Sequence, residues 1–159
     1  METTAYPLSL PYPNNSDAIA AYPGVAKNMA NIINNWVLNR ATPILSYKDP
    51  NKDGAIPTQE TTLASKTLTF EVNTPAEWNA YLYASGSTAV WYMLWLDNAC
   101  ISMTDWPLSS EWTTFYTAHR FVIPSGEHTL KVTCKASGAN AYRRRNNAPY
   151  SRDITIWRA

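Results

Sequence analysis

The residues with the most specific chemistry lie in "DPNKDGAIPTQE", residues 49–60. Asp49, Asn51, Asp53, Gly54, Ile56 and Glu60 fall on positions one, three, five, six, eight and twelve of a calcium-binding EF-hand loop, and Ala55 supplies the carbonyl of position seven. Calcium takes hard oxygens in this order, with glycine at the sharp turn and a bidentate carboxylate closing the cage. A true EF-hand loop joins two helices, whereas the flanks "TPILSY" and "TTLASKTLTF" read as strands. The stretch therefore has two readings. One is a calcium site built from Asp49, Asn51, Asp53, Ala55 and Glu60. The other is a β-hairpin turn, because Asp, Asn, Pro and Gly are the usual turn residues. In that case Gly54 is the sensitive position, as the residue that takes positive φ without steric cost.

A second set of residues suits sugar or anion binding. "TDWPLSSEW" places Trp106 and Trp112 on a connection rich in Pro and Ser. There an exposed indole offers a platform for the apolar face of a pyranose ring, and a buried one caps the core. "YRRRNNAPYSR" offers Arg143, Arg144 and Arg145, whose planar donors match phosphate or carboxylate; a solvated loop is the plainer reading. Signs of catalysis are few. His119 alternates in phase with Phe115, Phe121 and Ile123, which predicts a partly buried side chain, and His128 follows the "SGE" turn and is expected to order it. Gly-x-Ser-x-Gly, HExxH and Gly-rich phosphate loops do not occur in the sequence, so the chain is not expected to be an enzyme. Cys100 and Cys134 form neither a zinc pattern nor a CxxC pair and are expected to be buried free thiols.

Composition bounds the rest. The 159 residues suffice for one ordinary domain plus a short extra element. Seven Trp and ten Tyr against three Phe favour rings that carry a polar handle. A net charge of +1 argues against general nucleic-acid binding, although seven of the 13 Lys and Arg follow Gly126. No run approaches the roughly eighteen apolar residues of a membrane span. The opening "METTAYPLSLPYP" lacks the basic and apolar regions of a secretion signal, so synthesis in a cytoplasm without membrane insertion is expected.

Three segments emerge from the pattern. Residues 1–16, with three prolines and no periodicity, read as an extended anchoring arm. Residues 17–42 contain an amphipathic helix in which Val25, Met29, Ile32 and Trp36 recur at spacings of four, three and four. Such a stripe packs on the chain's own β domain or on copies of itself. The narrow seam with an aromatic favours a trimer. Residues 43–159 switch to period two. "KTLTFEVNT" places Leu68, Phe70 and Val72 on one face; "EWNAYLYAS", "TTFYTAHRFVIP", "EHTLKVTCKAS" and "SRDITIWRA" continue the series. "TAVWYMLWLDN" is apolar on both faces, as in a central sandwich strand or one covered by a neighbouring subunit. Without strand–helix alternation the sheets should be antiparallel, which predicts a mainly β chain with a jelly-roll-like β-sandwich.

Both ends carry a family resemblance. "YPLSLPYPNNSDAIAAYPGVAKNMANIINN" resembles the start of many small bacteriophage virion proteins, which open with a Pro-Tyr-Pro or Pro-Phe-Pro arm, a polar spacer with Asp and a helix of small and apolar residues. "FVIPSGEHTLKVTCKASG…SRDITIWRA" is similar to the closing hairpin of that family, where a Gly-x-His-x-Leu/Val turn leads into an alternating strand. The resemblance covers roughly half of the residues and leaves 41–111 unmatched. It implies a minor tail protein, tail fibre or head fibre: a homotrimer in the virion, docked through its arm to a capsid or tail protein, with a jelly-roll head. The head would decorate the particle or contact a host cell-surface glycan. A stand-alone carbohydrate-binding module is the alternative, and a small hydrolase the third reading.

Overall fold

The computed structural model describes residues 2–3, 11–12, 22–49, 53–144 and 152–159. The chain divides into two compact units, Met1–Thr42 and Pro43–Ala159. In the first, the two-residue strands β1 (Glu2–Thr3) and β2 (Pro11–Tyr12) pair antiparallel, with Glu2 opposite Tyr12 and Thr3 opposite Pro11. These pieces of the arm thus have a partner within the unit, which a purely extended arm would lack; the rest of the arm lies outside the described residues. Helix α1 spans Tyr22–Ala41, with Pro23 in its first turn, where the missing N–H costs nothing, and Pro43 just beyond its end. Along it Val25 is buried, Met29 and Ile32 are half-buried, and Ile33 is 41% exposed. The side chain of Trp36, fourth in the expected stripe, lies outside the described residues. No helix among the described residues is long and apolar enough to cross a membrane.

The second unit is built from strands. One sheet runs β3 (Leu45–Asp49), β13 (Arg152–Arg158), β6 (Thr74–Gly86), β10 (Thr113–Ile123). Beyond β13 the same edge of β6 takes β12 (Ala141–Arg143), which carries β4 (Gly54–Ala55). The other sheet runs β5 (Thr61–Phe70), β11 (Gly126–Ala136), β7 (Ala89–Leu96), β8 (Ala99–Met103), with β9 (Trp106–Pro107) on the far end of β7. Every pairing is antiparallel. Among the strands of five residues or more, the first pairs with the last (β3–β13), the second with the next to last (β5–β11), then β6 with β10 and β7 with β8. A long hairpin folded over on itself gives this nesting. It is the jelly roll, as two sheets.

Period two fills the space between the sheets. The inner face of β6 reads Ala76, Trp78, Ala80, Leu82, Ala84, all at most 1% exposed. Small residues on either side of Trp78 and Leu82 leave room for Ile154 and Ile156 of β13 on the same face and for Tyr92, Leu94, Leu130 and Val132 from the opposing sheet. Each large side chain so buried contributes about 1.5–3 kcal/mol.

The apolar outer face of β7 has its own cover. Trp91 donates its indole N–H to Asp105 (3.1 Å) and Trp95 to Thr133 (3.0 Å), while Lys135 and Lys131 lie over the two rings at 5.2 and 5.1 Å. Met93, between them, is only 7% exposed. The two tryptophans are thus held to the sheet, and their faces are shaded by lysine.

Several expectations need correction. Val72 lies beyond the end of β5 and is 67% exposed. His119 keeps the inward phase of β10, but β10 is the outermost strand of its sheet and His119 is exposed. Of the two free cysteines only Cys134 is buried; Cys100 is exposed on β8. His128 stands between two turns, with its Nε2 3.4 Å from the Ser125 carbonyl oxygen of the "SGE" turn. Its Nδ1 lies 2.8 Å from Asp97 Oδ2, and Asp97 Oδ1 accepts the Thr129 N–H at 2.9 Å. Asp97 sits at φ 55° between β7 and β8. The Thr129 amide and then His128 hold the Asp97 carboxyl below its ordinary value, and the same carboxylate holds His128 above its own.

Candidate functional site

The outward face of the β3–β13–β6–β10 sheet is the candidate site. Because the even positions of β6 and β13 are buried, the odd ones face outward, and the register sets them in rows. Lys48, Asp153, Tyr81 and Tyr116 form one row across four strands. Ser46, Thr155, Asn79 and Ala118 form the next, and Trp157, Glu77 and Arg120 a third. On the other side of the tyrosine row Thr114 stands opposite Tyr83, and Trp112 leads into β10. Four rings, Tyr81, Tyr83, Tyr116 and Trp112, thus occupy neighbouring positions on a solvent-facing sheet.

Polar contacts fix their orientation. Tyr116, 64% exposed, donates its hydroxyl to Asn79 Oδ1 at 2.5 Å. Asn79 donates to Glu77 (3.3 Å), and Glu77 accepts from Arg120 Nε (3.0 Å). The hydrogen bond from Arg120, then that from Asn79, lowers the Glu77 carboxyl from its ordinary value. Arg120 is so exposed that this ion pair contributes little to folding. Burial pushes the Asp153 carboxyl up, against the pull of Lys48, and its Oδ1 has no hydrogen-bond partner among the described residues.

The residues expected to bind ligand divide between this face and the interior. Trp106 is 8% exposed and packs edge-on against Tyr92 (5.2 Å) and stacked on Phe115 (5.6 Å), so it caps the core. Trp112 is half-buried beside Tyr83, with ring centroids 5.5 Å apart. Arg144 lies over both rings, its guanidinium carbon 4.1 Å from the Trp112 centroid and 5.7 Å from that of Tyr83. Arg143 is 9% exposed and turned inward, and Arg145 lies outside the described residues. Tyr81, Tyr83 and Tyr116 escape a search for motifs. Their signal is alternation: in "EWNAYLYAS" the outward phase carries tyrosine where a solvated strand carries Thr or Lys.

Among the described residues, three oxygens of the calcium reading accept hydrogen bonds from protein groups. Asp49 is 7% exposed, and its Oδ2 accepts from Arg143 (3.0 and 3.1 Å) and Arg152 (3.2 Å). The Ala55 carbonyl accepts from Arg143 at 3.2 Å, and Glu60 accepts from the Thr133 hydroxyl at 2.8 Å. Asp53 is exposed and Asn51 lies outside the described residues. A divalent cation at Asp49 would face two guanidinium charges across a few ångströms in a poorly solvated site. Among the described residues no group of three or more His, Cys, Asp or Glu is placed to hold a metal ion. Gly54 matters for another reason than positive φ, since a Cβ there would stand 2.9 Å from Arg143 Nη1. Millimolar calcium and a chelator are each expected to leave the Tm of the full chain unchanged. A rise of several degrees with calcium, reversed by chelator, would reinstate the cage.

No protein-family model matches the sequence, and no curated protein matches it. Among solved structures, the chain is similar to the native structure of a family 35 carbohydrate binding module from Clostridium thermocellum (TM-score 0.41, 9% identity, covering 74% of this chain and 99% of that one). It is also similar to a ruminal GH26 endo-β-1,4-mannanase (0.40, 13%), of which it covers 20% with 70% of its own length. A third is the structure of infectious bursal disease virus Gx strain (0.40, 12%), with 74% of this chain covering 36% of that one. Likeness at this level does not identify a ligand. Only the side chains speak to that.

Proposed function

We propose that this chain is a non-enzymatic glycan-binding jelly roll, displayed as a homotrimer on a bacteriophage particle by its N-terminal unit. The placement of Tyr81, Tyr83, Tyr116 and Trp112 side by side on an outward sheet face supports the glycan reading. Pyranose rings lay their C–H faces on aromatic rings, while their hydroxyls need donors and acceptors at the margin. Here the Asn79 amide, the Glu77 carboxylate and the Tyr116 hydroxyl stand at that margin. Aromatics of this kind present large contact area and lose little conformational entropy on binding.

The particle and trimer parts rest on the Pro-Tyr-Pro arm, on the closing hairpin and on the stripe of Val25, Met29 and Ile32. The arm would dock on a capsid or tail protein. Both parts are tested on the full chain. An array of bacterial surface polysaccharides should give binding that falls at least tenfold, about 1.4 kcal/mol, in Tyr116→Ala. Sedimentation should give a trimer at tens of micromolar, lost in Ile32→Asp because a charge enters an apolar seam. An array without binding would remove the glycan reading, and a monomer the trimer.

A further inference from the structure

We propose that Arg144 is a preset receptor for an oxyanion, so that the aromatic face selects saccharides bearing carboxylate or phosphate; this rests on the glycan reading above. The geometry is specific. Separations of 4.1, 5.7 and 5.5 Å between guanidinium and Trp112, guanidinium and Tyr83, and the two rings close a triangle. The guanidinium lies over both rings, and the backbone N–H of Arg144, donated to the Tyr83 carbonyl at 3.2 Å, ties its chain to β6 at that point. Contact with a ring face engages the flat side of a guanidinium and leaves its in-plane N–H edges directed outward. Those edges match the paired oxygens of a carboxylate or phosphate.

The charges around it point the same way. Arg143 and Arg152 share the carboxylate of Asp49, and Arg120 pairs with Glu77. Arg144 is exposed, and among the described residues no carboxylate or carbonyl accepts from its side chain. An arginine meant only for solubility has no need of two rings beneath it. Held so, it has already lost much of the rotamer entropy that a free arginine would lose on binding. The sugar ring bearing the charge would then rest beside Arg144 on Tyr81 and Tyr116, the neighbouring rings of the same face.

The test is titration calorimetry of the full chain with tetragalacturonic acid, its methyl ester, a glycerol-phosphate oligomer and an uncharged glycerol oligomer. Either acid should bind at least tenfold tighter than its neutral partner, and the advantage should shrink as salt rises. Whichever of the two binds tighter identifies the anion as carboxylate or phosphate. Arg144→Gln should bring the acid-to-neutral ratio to within about twofold, and Arg144→Lys, which keeps charge without the planar fork, should restore only part of it. Equal binding of acid and neutral partners, or an unchanged ratio in Arg144→Gln, overturns the proposal while the glycan reading stands. Absence of binding by all four probes and by the neutral polysaccharides of the array overturns both.

Discussion

Asp49→Ala is expected to destabilise the jelly-roll unit by about 3–5 kcal/mol, the loss that follows when one partner of a buried ion cluster is removed. Asp49 stands at the end of β3 with its Oδ2 shared by Arg143 and Arg152, and all three residues are at most 9% exposed. Arg152 also donates to the Tyr47 hydroxyl (3.1 Å) and lies over the Tyr47 ring at 5.3 Å. Burial pushes the neighbouring Cys134 thiol up despite the pull of Arg152, so the thiol stays neutral and gives no second counter-charge. Without Asp49 the two guanidiniums would lose their shared carboxylate in a site poor in water. For a unit of this size the loss corresponds to a fall in Tm of roughly 10–20 °C. Asp49→Asn, which keeps an acceptor without the charge, should lose less. Replacing all three residues with apolar side chains of similar volume should recover most of the loss, because desolvation then disappears along with attraction. Urea melts of the full chain measure each variant at constant m-value. An Asp49→Ala variant within 1 kcal/mol of the parent would show that the cluster does not hold the sheet.

The same cluster lies beyond the reach of the calcium pattern. Spacing within twelve residues reports what a loop offers locally. It is blind to Arg143 and Arg152, which the closed sheet brings onto Asp49 from 94 and 103 residues away. The strands, by contrast, were legible, because burying one face writes period two into β6, β10, β11 and β13. Even so, alternation does not mark where a strand stops or which strand is outermost. Val72 keeps the phase of β5 past its end, and His119 keeps the inward phase of β10 without a neighbour to bury it. The Arg143–Arg144–Arg145 run shows the limit from the other side. It reads as one basic loop, yet at the end of β12 Arg143 is buried on Asp49 and Arg144 is exposed on Trp112. The pairing order of the jelly roll cannot be read from periodicity at all, since any antiparallel stacking of the same strands would satisfy it.

Trp106→Ala and Trp112→Ala should part company, although the two lie only six positions apart on one connection. Trp106 enters the core through β9, where it pairs with Val90 and packs against Tyr92 and Phe115. Truncating it leaves a cavity between rings that cannot collapse together, and the expected loss is about 3–5 kcal/mol. Trp112 meets Tyr83 and Arg144 at the surface, so its removal should cost the fold about 1 kcal/mol or less, the range of a surface ring contact. For binding the order should reverse. Trp112→Ala removes ring area from the aromatic face and the ring over which Arg144 lies, and should weaken acidic saccharide at least tenfold. Trp106→Ala lies on the inner side of the sheets and should change affinity only through its loss of folded protein. Urea melts and calorimetric titrations on the same two preparations separate the effects, with affinities taken well below the Trp106→Ala unfolding transition. If Trp112→Ala lost stability and kept affinity, its ring would be part of the core and the outward face would have no claim on a sugar.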